Sequence, residues 1–115
     1  ILCEKVENFG AQAIFVTQSF RRTYNYSEGR LLGKPNLGYL GENNYFNGVD
    51  YYYMSRLLNN STKEVCKINK NCILIDLDEE LEFDIRTDFY DYAHNTPLGT
   101  KKIGEYLYKK LKDLF

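Results

Sequence analysis

Two short, uninterrupted apolar runs constrain this chain most: Ala13-Ile14-Phe15-Val16-Thr17 and Cys72-Ile73-Leu74-Ile75-Asp76-Leu77. Neither alternates polar with apolar residues, so each reads as a strand covered on both faces, the pattern of parallel sheets flanked by helices. The surrounding segments supply those helices. "ILCEKVENFG" reads as a helix stopped at Gly10. Val49, Tyr53, Met54, Leu57, Leu58, Val65 and Ile68 share one helical face over about five turns, and 69–71 (Asn-Lys-Asn) end that helix. A last helix starts with Thr96 as N-cap and Pro97 in its first turn, turning Ile103, Leu107, Leu111 and Leu114 inward. Its Lys109, Lys110 and Lys112 lie toward the negative end of the helix dipole. The order helix, strand, helix, strand, helix predicts an α/β fold with a parallel sheet.

Two strands are too few for such a sheet, and 115 residues at 43% hydrophobic content suffice for one small domain but not two. Residues 1–115 are therefore expected to be the C-terminal part of a single domain whose N-terminal half is needed for completeness. Residues 19–45, rich in Gly, Asn and Tyr, read as a long loop or lid leaving the carboxyl end of the first strand, where open parallel sheets bind ligands. In it, Arg21 and Arg22 are expected to hold an anionic part of a substrate. Tyr24, Tyr26, Tyr39 and Tyr45 would form an apolar or sugar-stacking wall.

Composition removes other classes. Fifteen basic residues against sixteen acidic ones leave no field to recruit nucleic acid or an anionic membrane. No apolar run approaches the roughly 20 residues of a membrane span, so no transmembrane segment is expected and the chain reads as soluble. Cys3, Cys66 and Cys72 are odd in number and lack C-x-x-C spacing, so buried reduced thiols are expected. Unpaired thiols slightly favour the cytoplasm, in a reading that otherwise leaves the compartment unknown. A Cys66–Cys72 bridge is the alternative, resting on proximity in sequence. One histidine with scattered carboxylates fits no tight metal spacing, and the run 76–84 reads as a solvated turn or short helix; no metal or cofactor is expected.

The single histidine stands in "FYDYAHNTPLG", residues 89–99. A carboxylate three residues before it in a turn is placed to accept the imidazole Nδ1 proton and orient the ring, the arrangement a general base needs. The dipole of the following helix opposes a positive ring, and a capping or surface role explains the pair equally well.

The stretch from Asp91 through His94 to Gly99, followed by an amphipathic helix, resembles the last block of the SGNH, or GDSL-type, serine hydrolases. "IFVTQ" (14–18), "RLLNN" (56–60) and "ILIDL" (73–77) also occur in the family's order. The resemblance implies a three-layer α/β/α, flavodoxin-like domain and an ester hydrolase (lipase, esterase or acylhydrolase) acting on small-molecule, lipid or carbohydrate esters. It gives His94 the role of proton acceptor from a serine and Asp91 that of holding the ring. No Gly-Asp-Ser occurs here, and Ser19, Ser27, Ser55 and Ser61 lack a nucleophile-elbow context. The nucleophile and oxyanion donors are thus expected outside these residues, which alone should be inactive. The alternative is a non-catalytic half-domain or degenerate member that binds a partner or glycan through its Tyr-rich loop.

Overall fold

The computed structural model describes residues 2–39 and 45–114. It is a mixed α/β chain with a small parallel sheet. Helix α1 (Leu2–Asn8) ends where Gly10 takes φ +71°, a left-handed geometry that glycine adopts without a Cβ penalty. Strand β1 (Ala13–Val16) follows and pairs in parallel with β6 (Cys72–Ile75), with Ala13 opposite Cys72 and Val16 opposite Ile75. At the carboxyl end of this pair Thr17, buried to 1% exposure, donates its hydroxyl to Asp76 Oδ1 at 2.9 Å and accepts the Asp78 N–H at 3.0 Å. One hydroxyl thereby ties together the two chain segments leaving the strands.

The segment after β1, expected as one long loop, instead carries two antiparallel ladders: β2 (Tyr24–Ser27) with β3 (Arg30–Gly33), and β4 (Gly38–Tyr39) with β5 (Tyr45–Phe46). The first closes through Glu28 and Gly29 at φ +49° and +76°, the paired positive angles of a two-residue hairpin turn that matches strand twist. Part of the expected lid, residues 40–44, and the side chain of Tyr39 lie outside what is described.

Helix α2 (Gly48–Ile68) begins with a full capping box. The Asn47 side chain accepts the Val49 and Asp50 N–H groups, while Asp50 accepts the Asn47 N–H at 2.9 Å. The close approach of β3 to its start depends on Gly48, where a Cβ would lie 2.2 Å from the Thr23 carbonyl oxygen. The burial of this helix corrects the sequence reading. Its apolar face is turned outward, with Leu57 70% and Ile68 76% exposed, while Tyr51, Ser55, Asn59 and Cys66 are buried. The inward polar groups are satisfied: Asn59 Nδ2 donates to the Gln18 carbonyl and its Oδ1 accepts the Gln18 N–H, both at 2.9 Å. A side chain that replaces a ladder partner in this way outweighs the periodicity signal, because an unpaired backbone group beside a strand is costly.

Cys66 and Cys72 are joined by a disulfide with Cα atoms 5.2 Å apart, and Cys3 is the free, buried thiol. The expectation of three reduced thiols is therefore corrected, and with it the weight they gave to the cytoplasm. The turn 69–71 returns the chain directly from α2 into β6, so the two cysteines at its ends fall within bridging distance.

Beyond β6 come a single turn, α3 (Leu77–Glu80), and the last helix, α4 (Pro97–Leu111). Thr96 caps α4 by accepting the Gly99 N–H at 3.2 Å. Ile103, Leu107 and Leu111 are half-buried, but Leu114 is exposed because the helix ends before it. The Cα radius of gyration is 16.5 Å, against about 13 Å for a compact domain of this length. Among the described residues no helix is long and apolar enough to cross a membrane.

Candidate active site

The segment 88–96 is a tight excursion closed on itself at its base. Phe89 and Asn95 form an isolated bridge, Tyr90 N–H donates to the His94 carbonyl at 2.9 Å, and Thr96 N–H donates to the Asp88 carbonyl at 3.0 Å. Asp88 anchors it from beneath. Its fully buried carboxylate accepts Lys102 Nζ from α4 at 2.6 Å and the Asp84 N–H at 2.7 Å. Gly99 lets α4 reach this anchor, since a Cβ there would lie 2.2 Å from the Asp88 carbonyl oxygen.

Within the excursion Asp91 Oδ1 accepts the N–H groups of Ala93 and His94 at 2.9 and 2.8 Å. Its Oδ2 lies 2.7 Å from His94 Nδ1. These backbone donors first, and the imidazole second, hold the Asp91 carboxyl down at about 2. An ionised carboxylate only accepts hydrogen bonds, so Nδ1 carries the proton, and in the neutral ring the lone pair is on Nε2. Nε2 has no partner among the described residues, and the His94 side chain is 79% exposed.

The excursion is docked onto the carboxyl end of the parallel pair through one carbonyl. Tyr92 O accepts the Arg21 N–H at 3.0 Å and the Tyr51 hydroxyl at 2.5 Å. Tyr51, 5% exposed, also packs its ring on Tyr92, Phe20 and Phe46. Burial, and secondarily the Asp91 charge, push its phenol up to about 12. Tyr51 and Asp88 were not singled out from the sequence. A tyrosine in a Tyr-Tyr-Tyr run and an aspartate in an acidic stretch carry no mark of which copy will be buried.

The other expected residues gather beside this loop. Arg21, Arg22 and Tyr24 line a hollow of about 310 Å³ together with Tyr51, Ser55, Arg56, Asp78 and Glu79. An adjoining hollow of about 250 Å³ shares Phe20, Arg22, Asp78 and Glu79 and is walled further by Phe83 and Phe89. Tyr26 and Tyr45 are exposed. Of the four serines, Ser55 donates to the Tyr52 carbonyl and Ser61 to the Leu57 carbonyl, Ser19 is buried and Ser27 ends β2, and none bonds His94. Asp91 is the sole side-chain partner of His94 among the described residues. No protein-family model, curated protein or solved structure matches this chain.

Proposed function

We propose that this chain is the His/Asp-bearing C-terminal part of a three-layer α/β/α, SGNH-type serine ester hydrolase. The single observation that carries the reading is the Asp91 carboxylate, pinned by two backbone N–H groups and bonded to His94 Nδ1 at 2.7 Å, which leaves Nε2 of an exposed ring without a partner among the described residues. The two-stranded parallel pair and the outward apolar face of α2 further support membership of a larger sheet with helices on both sides.

In this mechanism a serine from residues outside these 115 attacks the ester carbonyl while Nε2 of His94 takes its proton. The imidazolium then returns the proton to the leaving alcohol, and a water repeats the sequence to release the acid. Asp91 stays ionised throughout and fixes the ring tautomer. The oxyanion donors also come from outside these residues. The test is turnover of short p-nitrophenyl esters by the full-length protein and by His94→Ala. Equal rates would remove His94 from the chemistry.

A second reading rests on a separate observation. Tyr24, Tyr26, Tyr52 and Tyr53 form a ring cluster across β2 and α2, with centroids 4.5 to 6.4 Å apart and Tyr26 62% exposed. Such a surface suits a non-catalytic module that stacks on a glycan or partner. Glycan binding by a full-length protein without ester turnover would favour it.

A further inference from the structure

The hollow beside the Asp91–His94 loop has an uneven charge balance. Three guanidinium groups, those of Arg21, Arg22 and Arg56, and two carboxylates, those of Asp78 and Glu79, line it. Glu79 lies 3.2 Å from Arg56 and 2.8 Å from Lys63. Burial raises the Asp78 carboxyl above its ordinary value. Arg21 and Arg22, by contrast, have no carboxylate partner among the described residues. Two guanidinium groups thus border a concave space without an ion-pair partner among the described residues, and cations outnumber carboxylates in its lining by three to two. Tyr24 and Tyr51 supply apolar walls, an arrangement that favours a small anionic group over a neutral one.

The hollow is coupled to the candidate catalytic loop by position. The Arg21 backbone N–H and the Tyr51 hydroxyl, both from residues that line it, bond the same Tyr92 carbonyl between Asp91 and His94. A group held there would therefore lie against residues that brace the loop carrying Asp91 and His94. We propose that Arg21 and Arg22 form a subsite for a carboxylate or phosphate group carried by the ester substrate, so that the enzyme acts on anionic esters. The proposal rests on the hydrolase reading for its catalytic half, but the binding half is tested without turnover.

Calorimetric titration of the full-length protein with glutarate, inorganic phosphate and the neutral diamide glutaramide separates the sources. Glutarate or phosphate should bind about tenfold or more tighter than glutaramide, with affinity falling as salt rises. Arg22→Gln and Arg21→Gln should each remove about tenfold of that preference, and Arg22→Lys, which keeps the charge but loses the planar fork, should retain part of it. Equal affinity for glutarate, phosphate and glutaramide, or binding indifferent to all three substitutions, overturns the subsite. Anion binding that survives His94→Ala, in a protein that hydrolyses no ester, would keep the subsite and dismiss the hydrolase.

Discussion

Asp91 holds His94 in two ways at once: Oδ2 meets the ring Nδ1 at 2.7 Å, and Oδ1 meets the His94 backbone N–H at 2.8 Å. The carboxylate therefore fixes both the ring and the peptide that carries it. A ring positioned in this way keeps a single tautomer without support from the rest of the sheet. Asp91→Asn removes the negative acceptor and permits the other tautomer. Ester turnover by the full-length protein should fall by about 100-fold or more, with little change in KM. Unchanged turnover would separate Asp91 from the chemistry.

Asp91 also gives a pH signature. Its folded value of about 2 lies below the ordinary 3.8, so the fold favours the ionised form. The contribution to stability is complete above pH ~4 and is lost as pH falls through about 2. Carboxyl-carbon NMR should give an Asp91 midpoint well under that of an exposed aspartate. A midpoint near the ordinary value would mean that the turn 91–94 is not formed in solution.

Tyr51 is the strut under the same loop. Tyr51→Phe keeps the ring contacts and removes the bond to the Tyr92 carbonyl, at a cost of about 1 kcal/mol in chemical denaturation. Its phenol should titrate near 12 in an ultraviolet difference titration. Because the folded value lies above the unfolded 10, the associated stability is full below pH ~10 and disappears as pH climbs through about 12. A normal tyrosine midpoint for this residue would show the hydroxyl to be solvated.

The Cys66–Cys72 bridge closes a short loop, with a sequence separation of 6. Chain-entropy arguments assign such a loop about 2 kcal/mol. Replacing both cysteines by serine should lower stability by that amount and leave the Asp91–His94 geometry intact. Mass spectrometry of the unreduced protein provides the direct check, since two free thiols at these positions would contradict the bridge.

Gly99 is the point where α4 meets the candidate site. Gly99→Ala would place a methyl carbon 2.2 Å from the Asp88 carbonyl oxygen, a backbone atom that cannot step aside cheaply. A loss of about 1–3 kcal/mol is expected. The loss should be accompanied by weaker amide protection in 88–96. Unaltered protection would mean that α4 can shift without disturbing the loop.

The local chemistry of the chain was legible where it is written in consecutive residues. Gly10, the Asn69 end of α2 and Thr96 with Pro97 stand where turn and capping rules put them, and the two apolar runs hold the parallel strands, although β6 ends at Ile75 and Val16 and Leu74 are exposed rather than covered. The Asp-x-x-His spacing foretold the Nδ1 contact because a three-residue turn leaves few places for the two side chains. The inward face of α2 was not legible. Apolar periodicity points to Leu57 and Ile68, but the helix buries Ser55 and Asn59, whose value depends on the Gln18 backbone 41 residues away.

What the sequence determined by itself is thus the three longer helices, the two parallel strands and the candidate acid–base pair, set by interactions spanning a few residues, whereas the two antiparallel ladders after β1 and the turn α3 were not read from it. The tertiary structure alone decided the rest. It chose the face of α2 that is covered and selected Tyr51 from three adjacent tyrosines to brace the Tyr92 carbonyl. It also gathered Arg21, Arg22 and Arg56 around one hollow. The physical reason is common to these outcomes: burial, hydrogen-bond satisfaction and charge balance depend on which distant groups meet, and residue type and spacing do not record those meetings.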